Sequence, residues 1–180
     1  ILGPGKNLKI NKKKIEKIIK EKNFLVVSLN TFSSIREDLI NLRVICHPMR
    51  LLSDIKKIKK LKSKFVMPLS SFTNRFKKNI KIKKKNIFDY GLNLKDNQII
   101  VESKFCLLPY PLAIGYAISL SIAGKSKSIT LAGFDGYNKS DSDFDNSEEL
   151  LSLFVKKYFK NKFASLTKSK FNFLKLIKLK

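Results

Sequence analysis

The sequence predicts an α/β fold, a Rossmann-like and mostly parallel sheet with helices on both faces and a truncated first strand. Three observations lead there. Short apolar runs alternate with amphipathic stretches along the chain, the pattern of βαβ units. The segment PYPLAIGYAISLSIAGKSK reads as a helix feeding the strand Ser128 to Ala132. That strand stops abruptly in the turn Gly133 to Gly136, which delivers Asp135 just beyond the strand end, where open α/β sheets bind ligands.

Taken in order, ILGPGKNLKI opens as the end of a strand followed by a Gly-Pro-Gly turn, most of the strand lying upstream of Ile1. Because the first residue is Ile and not Met, the chain is read as a fragment of something longer. Asn11 is placed as the cap of a helix to about Lys22, with Ile15, Ile18 and Ile19 inward. Phe24 to Leu29 reads as a strand ending at Ser28 or Asn30, and TFSSIREDL as a loop. Leu42 to Cys46 is the next strand, closed by His47-Pro48. Pro48 then starts a helix over Met49 to Lys60 with Leu51, Leu52, Ile55 and Ile58 at helical spacing.

Lys64 to Pro68 is the third strand, and Ser70-Ser71 begins a short helical or irregular piece through Phe76. The run KKNIKIKKKN is a solvated loop or edge strand, or else a phosphate-facing patch. Asn86 to Tyr90 and Gln98 to Glu102 are short strands around the turn Leu94 to Asn97. The helix from about Pro111 to Gly124 follows, then the strand Ser128 to Ala132. Ser147 is placed as the cap of a helix to about Lys160, with Leu150, Leu151, Leu153, Phe154 and Phe159 inward. Phe163 to Leu166 is a final strand. The expected division is one Rossmann-like domain over residues 1–166 and a basic, apolar tail over 167–180.

A chain of 180 residues suits one domain with a real core. Its 43% hydrophobic and 11% aromatic residues argue against disorder despite a net charge of +24. The charge comes almost wholly from lysine, with arginine only at positions 36, 43, 50 and 75. Base readout and bidentate phosphate capture favour arginine, so no specific nucleic-acid partner is expected. Cys46 and Cys106 have no CxxC partner and read as buried thiols of a cytoplasmic protein. No signal peptide is visible. The longest apolar stretch, Leu107 to Ala123, is interrupted by Pro109, Pro111 and Gly115 and falls short of the ~20 residues of a membrane span.

Three constellations can carry chemistry. Gly3, Pro4, Gly5, Lys6 and Asn7 form a glycine turn between a strand and a helix, where backbone N–H groups can meet a phosphate, or which is simply a turn. It lacks the third glycine of the dinucleotide fingerprint and the GK[ST] of a P-loop. The second constellation gathers six of the fourteen acids, Asp135, Asp141, Asp143, Asp145, Glu148 and Glu149, into fifteen residues. For Asp141, Asp143 and Asp145 a solubilising, helix-starting role is preferred over cation binding; Asp135 is set apart by its strand-end position. The third is His47, the single histidine, beside Pro48 and near Arg50. It is the one unperturbed side chain able to act as a general base near neutrality.

ILGPGKNLK, SLN at Ser28 to Asn30, CHPMR and the pair LPYPLAIGYAISLSIAGKSKSITLAGFDGY together resemble the Rossmann-like domain of bacterial sialyltransferases of glycosyltransferase family 42 and of the DUF115 (6-hydroxymethylpterin diphosphokinase-like) proteins. They resemble more closely the domain C-terminal to an HMGL-like, 4-hydroxy-2-oxovalerate-type aldolase domain in proteins of surface-polysaccharide loci. The resemblance runs from Ile1 to about Leu166. It implies a CMP-type cytidine nucleotide as ligand, bordered by Gly3, Pro4, Gly5, Lys6, Asn7 and Asn30 on one side and by Gly133, Asp135 and Gly136 on the other. It implies an upstream aldolase domain in the same chain. The sialyltransferases use a histidine downstream of the late motif as base, and this chain has none after His47. The stretch SLTKSKFNF also departs from the threonine-proline-threonine pattern of the aldolase-linked group.

Two functions follow. One is a nucleotide or nucleotide-sugar binding, transferase-like domain of a surface-glycan biosynthesis protein, glycosyltransferase-like or accessory to an aldolase, with His47 or Arg50 as the catalytic candidates facing the transferred group. The other is a non-catalytic module whose lysine-rich face docks a polyanion or a partner domain.

Overall fold

The computed structural model describes residues 1–79, 86–136, 142–158, 163–171 and 174–177. After the extended stretch Ile1 to Gly3 come α1 (Lys6–Ile10), α2 (Lys12–Lys22), β1 (Val27–Leu29), β2 (Leu42–Val44), α3 (Pro48–Ser53), α4 (Ile55–Ile58), β3 (Lys64–Met67), α5 (Asn74–Asn79), β4 (Ile87–Asp89) and β5 (Gly91–Leu94). β6 (Ile100–Val101), β7 (Phe105–Leu108), α6 (Ala113–Ala123), β8 (Ile129–Leu131), α7 (Ser142–Tyr158), β9 (Phe163–Ser165) and β10 (Lys175–Leu176) follow, with short 3-10 turns at Glu37–Leu39 and Leu69–Ser71. The fold is mixed α/β with parallel sheets, the class the sequence predicts.

β1, β2, β3 and β4 pair in that order, all parallel, and β8, β9 and β10 form a second parallel ladder. Leu2 joins them, bridging in parallel to Ser28 on one side and to Ala132 on the other. The Leu2 N–H donates to the Val27 carbonyl at 2.7 Å, and the Leu29 N–H donates to the Leu2 carbonyl at 3.0 Å. On the opposite edge the Ala132 N–H donates to the Ile1 carbonyl at 3.0 Å and the Gly3 N–H to the Ala132 carbonyl at 2.8 Å. The strand order is therefore β10, β9, β8, the Ile1–Gly3 stretch, β1, β2, β3, β4. The chain leaves its centre in one direction through β1 to β4 and returns on the other side as β8, which puts a topological switch point between Gly3 and β8.

Side chains alternate along each strand with period two, and the packing follows that alternation. Val27, Leu29, Val44, Val66, Ile129 and Leu131 share one cluster with Ile114, Ala117 and Ile118 of α6 and Leu150, Leu151 and Phe154 of α7. Their neighbours turn elsewhere: Leu2, Val26 and Ala132 meet Leu8, Ile15 and Ile19 of α1 and α2, and Ile45, Phe65 and Met67 meet Leu51 and Ile58 of α3 and α4. Burial of these side chains contributes on the order of 1.5–3 kcal/mol each. A small three-stranded sheet, β5-β7-β6, with β6 antiparallel, continues beyond β4. The corner between β4 and β5 is Tyr90, whose carbonyl accepts the hydroxyl proton of buried Tyr116 from α6.

Several expectations are corrected here. Asn11 does not cap a helix through its side chain; its Nδ2 donates to the Asn7 carbonyl at 2.9 Å and it marks the joint between α1 and α2. The expected helix over Met49 to Lys60 starts at Pro48 and is interrupted at Asp54, leaving Leu52 38% exposed. Asp54 is held by a hydrogen bond from Thr31 Oγ1 at 2.7 Å, a tertiary contact that outweighs helical continuity. Ser147 lies inside α7, which begins five residues earlier, and is buried rather than capping. Phe105 to Leu108 is a strand, although its apolar run merges in sequence with the following LPYPLA. The tail carries β10, which pairs with β9. The expectations for residues 80–85 of the lysine run, for Asp141 and for Phe159, and those for the side chains of Asp143 and Asp145, lie outside the described residues.

Phenylalanine at position 116 would leave the Tyr90 carbonyl without its partner at the junction of the two sheets. Tyr116→Phe is expected to lower unfolding stability by about 1–2 kcal/mol without altering the slope of a urea titration, and denaturant melts followed by circular dichroism check both.

Candidate functional site

Three glycines shape the switch point. The Gly5 N–H donates to the Gly133 carbonyl at 2.8 Å, so the two turns lie backbone against backbone. A Cβ on Gly3 would stand 2.5 Å from the Gly133 carbonyl oxygen, and one on Gly5 2.6 Å from the same atom. Gly133 has φ +76°, and a Cβ there would meet the Gly3 carbonyl oxygen and Leu8 Cβ at 2.8 Å. Its N–H donates to Thr167 Oγ1 at 2.9 Å, which brings the C-terminal segment onto the turn.

Asp135 closes this junction. Its Oδ2 accepts the Asn7 N–H at 2.9 Å, in the first turn of α1, as an N-cap carboxylate does. Its Oδ1 is buried against Gly5 and has no hydrogen-bond partner among the described residues. The amides of Gly3, Gly5, Asn7 and Leu8 are therefore already bonded within the protein. The position where a phosphate could meet the start of α1 is filled by the protein's own carboxylate.

Beside the junction, at the carboxyl ends of Ile1–Gly3, β1, β2 and β8, opens a pocket of about 770 Å³, within the usual range for small-molecule sites. Pro4, Gly5, Asn30, His47, Arg50, Gly133, Asp135 and Gly136 all line it, so most of the residues singled out in the sequence converge. Gly3, Lys6 and Asn7 do not line it: Gly3 is buried in the interlock, Lys6 is exposed, and the Asn7 side chain donates to the Lys168 carbonyl at 3.2 Å. Leu29, Met49, Leu112, Ile114, Phe134 and Phe171 supply apolar wall, and Cys46, Ser53, Pro111, Ala113 and Ser147 complete the lining. The sequence reading missed the start of α6 and Phe171. The signal for the first was available, since Pro111 and the residues after it follow a strand end, whereas Phe171 arrives from a segment with no local pattern.

Asn30 is held in the left-handed region, φ 56°, directly after β1. Its N–H donates to the Val44 carbonyl, and its carbonyl accepts Arg43 Nη1 at 3.1 Å. Arg43 is 2% exposed and donates also to Ser63 Oγ, to Ser28 Oγ at 3.4 Å and, from Nη2 at 2.6 Å, to Glu37 Oε2. A buried guanidinium thus positions a pocket residue through its main chain. Burial acts to raise the Glu37 carboxyl, but hydrogen bonds from Arg43 and Ser63 outweigh it and hold its pKa below the ordinary value.

His47 and Arg50 stand exposed at the rim, His47 just before α3 and Arg50 within it. Cys46, whose Sγ donates to the Pro111 carbonyl at 3.4 Å, ties the end of β2 to the approach to α6. Burial pushes its thiol up to about 12, which makes it a wall rather than a nucleophile. Among the described residues no cluster of His, Cys, Asp and Glu could hold a metal ion, and no helix is long and apolar enough to cross a membrane. Compared with protein-family models, curated proteins and solved structures, the chain matches none.

Two outcomes test this geometry. Gly133→Ala is expected to cost at least about 2 kcal/mol in a denaturant melt, from the positive φ and the lost close approach. Glu37→Gln is expected to cost about 2 kcal/mol at pH 7. Because the native carboxyl titrates below its unfolded value, the stabilisation is full above that unfolded value, about 4.3. It disappears as pH falls through the native pKa. Melts of the two proteins between pH 7 and pH 3 should converge at the acid end.

Proposed function

We propose that the carboxyl-edge pocket binds a nucleotide or nucleotide sugar, and that the domain is a transferase-like part of a surface-glycan biosynthesis protein acting beside an aldolase-type domain. The observation that carries the reading is the convergence of Gly5, Asn30, His47, Arg50 and Asp135 on one pocket at the topological switch point. The resemblance of the GPGKN, SLN and AGFDG stretches to family 42 sialyltransferases and to aldolase-linked domains supplies the ligand class, a CMP-type nucleotide.

The bonding at the glycine turn assigns the roles differently from a phosphate loop. Asp135 fixes the turn. Arg50, at the rim, is the cation that faces phosphate, His47 stands beside it toward the transferred group, and Asn30 offers an amide to ribose or base. The apolar walls from Leu29, Leu112, Phe134 and Phe171 suit a base or sugar face. Free, buried Cys46 and Cys106 fit a cytoplasmic setting.

The +24 charge favours one rival, a lysine-rich face that docks a polyanion. Calorimetric titration with CMP, CDP and a CMP-sugar separates the two. Specific binding is expected, only mildly salt-dependent, and weakened about tenfold or more by Arg50→Ala with an unchanged melting temperature and by Asn30→Gly, which keeps the positive φ of that position. Absence of binding at millimolar nucleotide would sink the proposal, and steep salt dependence with any polyanion would favour the rival.

A further inference from the structure

The helices on the two faces of the main sheet differ in charge. Ser28, Arg43 and Phe65 stand in register on neighbouring strands and Leu2 bridges to Ser28, so the side chains of Leu2 and Phe65 lie on one face. Leu2 packs with α1 and α2, and Phe65 with α3 and α4. These four helices therefore share that face, and they carry eleven lysines and arginines against two acidic residues. The opposite face packs with α6, which has no charged residue, and with α7, which has four acidic residues and two lysines.

The β1–β2 connection crosses the basic face between the two helix pairs. Thr31 Oγ1 donates to Asp54 Oδ2 at the α3–α4 joint at 2.7 Å, and the Arg36 N–H donates to Glu16 Oε1 of α2 at 3.0 Å. Ile35 and Ile40 anchor the connection beside Ile15 and Ile19. Phe32 is left outside, 66% exposed, as are Ile10 at the end of α1, 76% exposed, and Leu52 on α3. The same elements expose Lys13, Lys14, Lys17 and Lys20 of α2 and Lys56 and Lys57 of α4. The acidic residues of these segments, Glu16, Glu21, Glu37, Asp38 and Asp54, each pair with a lysine or arginine. Apolar side chains thus stand in solvent among lysines, on a face whose acids are already neutralised.

We propose that this face rests on an anionic lipid bilayer. Phe32 enters the boundary between headgroups and acyl chains, and the lysines of α2 and α4 lie against the headgroup phosphates. Three features favour a bilayer over another anionic partner. A polyanion such as a nucleic acid answers the charge but gives nothing to exposed aliphatic side chains like Ile10 and Leu52. Protein interfaces are depleted in lysine, whereas a headgroup layer takes lysine as a flexible point charge on an apolar stem. Arginine, the residue of bidentate recognition, is scarce here, since Arg43 is buried and Arg36 is bound to Asp38. In this orientation the acidic helix α7 turns to solution, and the carboxyl-edge pocket opens along the bilayer surface. The proposal is independent of what that pocket holds.

The chain contains no tryptophan, so Phe32→Trp places a single fluorophore on the basic face. Leu94→Trp, at a site 56% exposed in β5, places one in the small sheet as the control. The probes are phosphatidylcholine vesicles containing about one-third phosphatidylglycerol, compared with phosphatidylcholine alone. A blue shift of the Phe32→Trp emission on the anionic vesicles only, with the Leu94→Trp emission unmoved, is expected. In co-sedimentation Phe32→Ser is expected to lower partitioning about tenfold. Lys13→Glu combined with Lys20→Glu should lower it about tenfold or more, and the same charge change at Lys104 and Lys156 far less. Binding of a DNA duplex should not respond to Phe32→Ser. An unshifted Phe32→Trp emission, or equal losses from the two lysine pairs, would overturn the docking face. Duplex binding that falls with Phe32→Ser as steeply as vesicle binding would overturn the bilayer and assign the face to nucleic acid.

Discussion

The close approach of two backbone turns at the centre of the sheet is the contact on which the rest depends. Ile1 to Gly3 is bonded on both edges and joins the β1–β4 ladder to the β8–β10 ladder. That is possible because Gly3, Gly5 and Gly133 carry no side chains where their backbones meet. Asp135 then bonds the first turn of α1, and Thr167 bonds the Gly133 amide from the other side. Strand ends, helix start and C-terminal segment are thereby fixed relative to one another around one small region.

The pocket inherits its shape from that junction. Its floor is the interlock, and its rim is set by elements that reach it indirectly. Arg43, invisible from the pocket, holds Asn30 by its carbonyl and is itself neutralised by Glu37. Cys46 bonds the Pro111 carbonyl and so links the β2 end to the residues before α6. A glycine-rich turn at a strand end is usually read as a phosphate cradle. Here the protein supplies its own carboxylate at that turn, and in the proposed reading ligand recognition falls to Asn30, His47 and Arg50.

The late strand with its AGFDG turn was legible because a buried parallel strand leaves an uninterrupted apolar run and its turn leaves glycines. β2 and β3 were legible for the same reason, and Pro48 at the first position of α3 announces that helix. Elements decided by distant partners were not. α1 spans five residues and has no period to detect, α7 extends back past its polar first turn, and β10 exists through pairing with β9. Asp54 interrupts a helical pattern because of Thr31, twenty-three residues away. The site was legible as a set of strand-end residues, but the role of Asp135 was not, since whether a carboxylate meets a ligand or its own backbone depends on how closely two turns pack.

The most direct measurement is an amide NMR titration of the isotopically labelled chain with CMP. Saturable shifts grouped at Asn30, His47, Arg50 and Gly136, with the lysine-rich surface of α2 unchanged, are the result expected of a nucleotide held at the carboxyl edge. Shifts spread over α2 and other lysine-bearing surfaces, fading with salt and leaving Asn30 and Gly136 unmoved, would contradict it.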